Sequence, residues 1–271
     1  MIKIVSILGC GWLGLPLAQT LLVKGYQVKG STTTPEKLSQ LQAAGITPFL
    51  LEVGDEVTGK QIDDFFDTEL LIINIPPKRN QPNIETLYPA QINAILKKAL
   101  QHGVQAIIFV SSTGVYGDTN EVVTENTPVQ PDRANTRGLV QAELLVQACG
   151  LNWSILRMAG LVGGTRKAGR FFAGKTDLPE ADAPVNLVHL DDCIGVVCRL
   201  LEQPCWGEIF NVCATAHPTK KDFYSSQTLK EGLKVPDFLI PTTPSPFKIV
   251  SNEKVKRMLS YTFSKPDPMF F

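Results

Sequence analysis

Short apolar runs alternate with segments whose apolar positions recur at helical spacing along the first part of the chain. The runs at residues 2–8, 70–75 and 104–110 are apolar almost throughout, which is typical of strands buried on both faces. A helix is predicted between two of them, at residues 84–102, and Gly103 ends it. This alternation predicts an α/β fold built on a doubly wound parallel sheet.

Other segments continue the pattern and then depart from it. Thr33-Thr34-Pro35-Glu36 predicts a helix start, with a threonine cap and Pro35 in the first turn. Residues 163–184 are rich in glycine and charge and are expected to leave the sheet, and a small lobe should follow. Further strands are predicted at 26–31, 153–156, 185–188 and 209–212, and further helices at 12–24, 136–149 and 191–201.

Composition narrows the class of protein. The 271 residues are 44% hydrophobic and 19% charged with zero formal net charge, so nothing favours nucleic acid or a membrane as partner. No apolar stretch is long enough to span a bilayer, and His102, His189 and His217 have no metal-ligand spacing. The six cysteines form no C-x-x-C pair, which predicts reduced thiols and a cytoplasmic protein.

The segment Gly9-Cys10-Gly11-Trp12-Leu13-Gly14 has the spacing G-x-G-x-x-G between a predicted strand and a predicted helix. In that context the first glycine allows a tight turn, the second lets backbone approach a pyrophosphate, and the third lets helix pack on strand. The alternative is a glycine-rich turn without a ligand. We expect residues 1–160 to form an NAD(P)-binding Rossmann domain to which 185–213 return, with 161–271 as a smaller substrate lobe.

The second predicted strand ends in Gly30-Ser31-Thr32-Thr33-Thr34, where an NAD-specific fold usually has an acidic residue for the ribose hydroxyls. No carboxylate there repels a 2′-phosphate, and the hydroxyls of Ser31, Thr32 and Thr33, with Lys37 nearby, favour NADP(H). NAD(H) stays open, because the threonines also suit a helix cap. Ile75 and Pro76 end another strand on the cofactor side and are expected to wall the cofactor channel.

The strand at 104–110 runs into Ser111-Ser112-Thr113-Gly114-Val115-Tyr116-Gly117. With the Gly loop, Leu156-Arg157, His189-Leu190-Asp191-Asp192 and Gly207–Val212, this stretch resembles the extended short-chain dehydrogenase/reductases, also called the NAD-dependent epimerase/dehydratase family. Gly11–Ala18, Gly169–Lys175 and 186–190 resemble its atypical YeeZ-like subgroup. The family's usual loop, G-x-x-G-x-x-G, has Leu8 at its first position here, and that start is equally similar to 3-hydroxyacid dehydrogenases.

The resemblance implies an oxidoreductase or epimerase-like enzyme whose Tyr-x-x-x-Lys pair stands eight and four residues before Glu143. Those positions hold Asn135 and Leu139, which supply neither a general acid nor a positive charge. It also implies that Ser111 contacts the cofactor and that Ser112 polarises the substrate oxygen. Tyr116 is a second catalytic candidate, with packing in the turn as the alternative.

Three cations of the excursion, Arg166, Arg170 and Lys175, are candidate ligands for a small anionic or sugar-nucleotide substrate, and the alternative is a solvated loop. The helix at 136–149, with Leu139, Leu144, Leu145 and Val146, is a candidate homodimer surface. The competing interpretation of the whole chain is a non-catalytic NADP(H)-binding or redox-sensing protein.

Overall fold

A computed structural model describes residues 2–78 and 81–271. Within them, strands and helices alternate along the first half of the chain. The strands are β1 (Ile4–Leu8), β2 (Gln27–Thr32), β3 (Thr47–Val53), β4 (Val57–Gly59), β5 (Leu70–Ile73), β6 (Ala106–Ser112), β7 (Glu121–Val123), β8 (Asn152–Met158), β9 (Gly160–Val162), β10 (Leu187–His189), β11 (Glu208–Val212) and β12 (Lys248–Val250).

The helices cover the sheet and build the later part of the chain. Single 3-10 turns also occur, at Pro35–Lys37, Thr113–Val115 and Pro268–Phe270. The helices are α1 (Gly14–Val23), α2 (Leu38–Ala43), α3 (Ile62–Phe66), α4 (Ile84–Gln101), α5 (Ala134–Gln147), α6 (Gly169–Phe172), α7 (Leu190–Glu202), α8 (Lys220–Lys230) and α9 (Glu253–Leu259).

The central sheet has eight strands in the order β11-β8-β6-β5-β1-β2-β3-β4, and all neighbours are parallel except β3 and β4. Of its interior strands, β5 is buried at every position and β1 at all but its first residue, as their apolar runs predict. The strand order reverses between β1 and β5, because the chain leaves β1 towards β2 and returns on the other side at β5. In a doubly wound sheet, ligands bind beyond the carboxyl ends of the strands at this reversal.

Two small parallel sheets lie outside the central one. β9 pairs with β10, and β7 pairs with β12. The apolar segment near residue 187 therefore pairs with β9, whereas β11 from farther along the chain completes the central sheet beside β8. A second core, separate from that of the large sheet, consists of Val162, Ala168, Val185, Leu187 and Phe223.

Local capping differs from the sequence expectation at two helix starts. The Thr34 side chain makes no cap hydrogen bond; instead, the Thr34 amide donates to Thr32 Oγ1 at 3.1 Å. At α7 the cap is the His189 side chain, which accepts the Asp191 amide. The neighbouring Asp192 is buried and binds the C-terminal segment, accepting hydrogen bonds from Tyr261, Ser264 and Lys265.

The helix expected to offer a dimer surface packs mainly inward. Leu139 and Val146 of α5 are buried in the core, and α5 packs along α4. Leu144 is 52% exposed and is the large apolar side chain that α5 presents to solvent. The surface available for a homodimer is therefore smaller than the sequence pattern alone indicates, and the dimer stays a prediction.

Candidate functional site

The Gly loop connects β1 to α1 at the reversal point of the sheet, and two of its glycines are required by the fold itself. Gly9 has a left-handed φ of +103°, and a Cβ there would stand 2.8 Å from the Asn74 carbonyl oxygen. A Cβ on Gly14 would stand 2.2 Å from the Gly9 carbonyl oxygen. Asn74 fixes the loop further, because its Nδ2 donates to that same oxygen at 3.0 Å.

Gly11 is different, because the protein's own packing gives no reason for a glycine. A Cβ at Gly11 would meet no atom within 4 Å, and its φ is not left-handed. Among the described residues, the amides of Gly11, Trp12 and Leu13 have no hydrogen-bond acceptor. They lie at the positive end of α1. Open space beside unpaired amides is the arrangement that a dinucleotide's diphosphate requires, so the loop fits that group.

Some of the hydroxyl side chains at the end of β2 are buried and accept backbone hydrogen bonds, and others are exposed to solvent. Ser31 is buried, and its Oγ accepts the Gly9 amide at 3.0 Å. Thr32 is buried and accepts the Thr34 amide, as described above. Thr33 and Lys37 are exposed. Ser31 thus positions the Gly loop and Thr32 the turn after β2, and the exposed pair is left for a cofactor ribose or its phosphate.

The segment after β5 forms the other wall of the reversal point. The Ile75 side chain lies against Gly9, and the Ile75 carbonyl oxygen accepts the Tyr88 hydroxyl at 2.8 Å. Tyr88 is buried in α4, and burial raises the pKa of its hydroxyl. Pro76 follows and is exposed. Ile75 therefore borders the Gly loop, with Tyr88 fixing its carbonyl group, and the role of Pro76 stays a prediction.

The two serines that end β6 point to different surroundings. Ser111 is buried, and its hydroxyl donates to Glu143 of α5. Its side chain is therefore committed to the protein interior, which argues against a direct side-chain contact with a cofactor. Ser112 is half-buried, and its Oγ accepts the Gly114 amide at 3.1 Å. The Ser112 proton is left to donate at the carboxyl edge of the sheet, two strands from the Gly loop.

Tyr116 belongs to a buried polar network. Arg157 makes a 2.6 Å ion pair with Glu143 and donates to the Tyr116 hydroxyl at 2.7 Å, and that hydroxyl donates to Asn211 Oδ1 at 2.9 Å. Tyr116 is 2% exposed. Burial raises the pKa of its hydroxyl, against the opposing effect of the Arg157 charge. This geometry argues against the catalytic role considered for Tyr116, because its hydroxyl has both partners inside the protein.

The positions of the missing catalytic pair lie on the first turns of α5. Asn135 is half-buried, and Leu139 is buried against the core. An apolar side chain thus occupies the place where the resemblance implies a lysine. A nearby arginine, Arg137, is held away by a 2.9 Å ion pair with Glu85 of α4.

The three cations considered as substrate ligands have different environments. The Arg166 guanidinium lies over the Trp12 ring, with Cζ 5.0 Å from its centre. Arg170 pairs with Glu231 at 3.3 Å, so its charge is partly compensated. Lys175 is exposed, with Nζ 5.2 Å from the centre of the Phe172 ring. The structure therefore separates Arg166, which lies beside the Gly loop, from Arg170 and Lys175 around α6.

Cys10 lies inside the Gly loop but is not a reactive thiol. It is buried, and that burial raises the pKa of its thiol to about 12. Its Sγ occupies the space where a Cβ on Gly30 would lie, at 2.6 Å. A helix start ordinarily lowers the pKa of a thiol, but at Cys10 the loss of hydration has the larger effect.

Comparison with known proteins agrees with this arrangement. A family model described as NAD(P)H-binding matches residues 9–188. The chain is 39% identical to protein YeeZ of Escherichia coli K12 over 270 residues, covering 98% of each chain. It belongs to the NAD(P)H-binding family. Within that family it is a YeeZ-like protein, as the sequence motifs predict.

Solved structures share the fold at low identity. A UDP-glucuronic acid 4-epimerase from Bacillus cereus, in complex with NAD, has a TM-score of 0.81 at 17% identity, covering 97% of this chain and 94% of that chain. A conserved protein of unknown function from Silicibacter pomeroyi has a TM-score of 0.78 at 23% identity, covering 99% and 96%. The predicted Rossmann-like α/β fold is thus confirmed.

Sequence reasoning missed the residues that hold the site together. Asn74, Arg157 and Asn211 act through partners far away in the chain. Glu143 served in the sequence analysis only as the reference position for locating the missing pair. A signal was present in part: an arginine or asparagine inside an apolar strand needs a buried partner. The partner's identity was not readable from the sequence.

Proposed function

We propose that this protein is an NAD(P)-dependent oxidoreductase or epimerase-like enzyme of the atypical short-chain type. The observation that carries the proposal is Ser112. Of the two hydroxyls that end β6, it is the one that is not buried in the polar network, and its proton is available at the edge that holds the Gly loop. A spare hydroxyl beside a dinucleotide loop suits the polarisation of a substrate oxygen.

The chemistry divides between cofactor and chain. A bound nicotinamide supplies or accepts a hydride. The chain's contribution is to bind the dinucleotide on the amides of Gly11, Trp12 and Leu13 and to orient the substrate. The Gly114 amide fixes the Ser112 oxygen, and in this proposal the Ser112 proton donates to a substrate carbonyl and stabilises negative charge that develops there.

Proton transfer is the step for which the chain lacks the usual group. A positioned acid or base contributes roughly 10²–10⁴-fold, and Asn135 and Leu139 do not supply one. We expect water beside Ser112 to give or take the proton. Turnover should therefore be slow, and it should rise with the concentration of small buffer acids that enter the crevice.

For the substrate we propose a small anionic molecule or a sugar nucleotide. Arg170 and Lys175 are exposed around α6 and supply positive charge on the smaller lobe. Solved structures with the same fold were determined with UDP-glucose or UDP-glucuronic acid and NAD, which supports this class. If Arg170→Ala leaves the affinity for every anionic ligand unchanged, the substrate assignment fails.

For the cofactor we propose NADP(H) over NAD(H). The end of β2 has no carboxylate, and Thr33 and Lys37 are exposed where a 2′-phosphate would need donors. The measurement is the dissociation constant of NADPH against that of NADH. Tighter binding of NADH would sink this preference, and Lys37→Gln should weaken NADPH alone.

We also propose that the protein works in the cytoplasm. Its cysteines are all free, as expected in a reducing compartment. No helix in the described part of the chain is long and apolar enough to cross a membrane.

A non-catalytic dinucleotide-binding protein is the second candidate, and the buried Leu139 favours it. Incubation with NADPH and a panel of carbonyl compounds separates the two, with absorbance of the reduced cofactor as readout. Turnover that falls in Ser112→Ala supports the enzyme. Tight NADPH binding without turnover on any compound supports the sensor.

A further inference from the structure

A hairpin with a two-residue loop, from Gly163 to Arg166, places Arg166 beside the Gly loop. The Gly163 amide donates to the Arg166 carbonyl at 3.1 Å, and the Arg166 amide donates back to the Gly163 carbonyl at 3.0 Å. The hairpin lies against the last residue of β10, because a Cβ on Gly163 would stand 2.5 Å from His189 Nε2. Gly164 takes a left-handed φ of +55° at its tip. The position of Arg166 is therefore set by backbone.

Trp12 connects this hairpin to the dinucleotide loop. Its indole Nε1 donates to the Gly163 carbonyl oxygen at 3.0 Å. Its ring also carries the Arg166 guanidinium, as described above. Trp12 is itself one of the residues whose backbone amide has no acceptor within the described ranges. One residue thus offers its amide to the ligand site and its side chain to an arginine.

The stacked guanidinium keeps its hydrogen-bonding edge free. A guanidinium on an aromatic face retains its in-plane N–H donors, which match the oxygens of phosphate groups. No carboxylate in residues 2–78 or 81–271 lies within ion-pair distance of Arg166, whereas Arg170 is paired with Glu231. Arg166, Lys167 and Lys230 line a cavity of ≈ 190 Å³ together with one carboxylate, that of Glu231, which already pairs with Arg170. The uncompensated charge therefore favours an anion at this position.

We propose that Arg166, held by Trp12, is a ligand for the diphosphate of the bound dinucleotide and not a substrate ligand. It would face the phosphate oxygens that the amides of the Gly loop leave uncovered. The proposal rests on the dinucleotide-binding part of the proposed function, and it does not require turnover. It also links the smaller lobe to cofactor binding, because the lobe supplies a cofactor ligand.

The test compares Arg166→Gln with Arg170→Gln by calorimetric titration. The probes are ADP-ribose, which has the cofactor's diphosphate; adenosine, which has none; and UDP-glucose, whose diphosphate belongs to a substrate. Arg166→Gln should weaken ADP-ribose about tenfold, or ~1.4 kcal/mol, and leave adenosine and UDP-glucose unchanged. Arg170→Gln is the matched control, since Arg170 is an exposed arginine of the same lobe, and it should leave ADP-ribose unchanged.

Trp12→Leu should reproduce the loss, because it removes the aromatic face under Arg166. Trp12→Phe keeps a face and should lose less. Equal affinity of Arg166→Gln and the unmodified protein for ADP-ribose overturns the proposal, as does a loss confined to UDP-glucose. If the unmodified protein binds no ADP-ribose, the proposed function fails as well. Binding of ADP-ribose without any turnover counts against the enzyme alone.

Discussion

Two polar regions at the carboxyl edge of the same sheet have opposite character. Within residues 2–78 and 81–271, three amides of the Gly loop have no acceptor, and the loop is open at Gly11. The network of Ser111, Glu143, Arg157 and Tyr116 is buried and its members satisfy one another. Polar groups that are paired inside the protein hold the fold, and polar groups left unpaired at an edge are available to a ligand. Whether a polar group is paired inside the protein therefore indicates a structural or a ligand-binding role, which its residue type alone does not.

The largest expected effect is a loss of stability on substitution in the buried network of Ser111, Glu143, Arg157 and Tyr116. Arg157→Met leaves the Glu143 carboxylate buried without its cationic partner, with only the Ser111 hydroxyl donating to it, which should lower the free energy of unfolding by about 3–5 kcal/mol. Urea denaturation measures it. Arg137→Met, in the half-exposed pair with Glu85, is the control and should cost less than ~1 kcal/mol. The double variant Glu143→Leu with Arg157→Met removes both charges and should recover part of the lost free energy of unfolding. If Arg157→Met alone costs no more than Arg137→Met, the buried network does not stabilise the fold.

The adjacent residues Ser111 and Ser112 belong to the buried network and to the open edge respectively, so their substitutions should have different effects. Ser112→Ala should reduce turnover roughly 10²-fold, because it removes a donor to developing charge, and should lower the melting temperature less than Ser111→Ala does, because the Gly114 amide that it frees is only half-buried. Ser111→Ala should do the reverse, costing about 1 kcal/mol of stability through the lost hydrogen bond to Glu143. Steady-state kinetics and thermal melting distinguish them. The assignment of roles fails if both variants behave alike.

The empty space beside Gly11 in the Gly loop can be filled by a substitution that does not disturb the fold. Gly11→Ala places a methyl group in empty space, so stability should be unchanged while NADPH binds roughly tenfold more weakly, or about 1.4 kcal/mol. Gly14→Ala should destabilise the protein, because its Cβ would collide with the Gly9 carbonyl oxygen. Paired melting curves and NADPH titrations check this. Undiminished affinity in Gly11→Ala would show that the diphosphate does not approach there.

The smallest effect is a pH dependence from buried thiols. Burial raises the pKa of Cys10 and of Cys213 to about 12, above the ordinary value of 9.0. The folded protein therefore keeps these protons longer than the unfolded chain does, so their contribution to stability is full below pH 9 and declines as the pH rises from 9 to 12. Urea denaturation at pH 8, 9 and 10 measures the slope. Cys10→Ala should make it shallower, and an unchanged slope would contradict the burial argument.

Features that depend on neighbouring residues were predictable from the sequence. The Gly loop and the strand that ends in Ser112 are each contiguous, so spacing and apolar pattern reveal them. The buried network is not contiguous. Arg157 is opposite Ser111 on one side and Asn211 on the other only through strand register, and register is a property of the assembled sheet.

The same distinction explains the smaller errors. The segment at Leu187–His189 has the apolar pattern of a central strand, but the pattern does not specify its partner, and it pairs with β9. The contact between Trp12 and Arg166 was hidden for a similar reason, because a hairpin in the lobe brings distant residues together. The sequence made Arg166 a candidate ligand for an anionic substrate, with a solvated loop as the alternative; only the fold places it beside the Gly loop.

The connection between β8 and β11 has a consequence for how such proteins diversify. These strands are direct neighbours in the sheet, yet residues 159–207, which include the Arg166 hairpin, lie between them. The entropy of closing such a long connection grows slowly, by about 0.6 kcal/mol for each doubling of length. Insertions beside the Arg166 hairpin can therefore change the selectivity of the crevice, while α7, which belongs to the same connection and buries Cys193, Val196 and Leu200 in the core, stays in place.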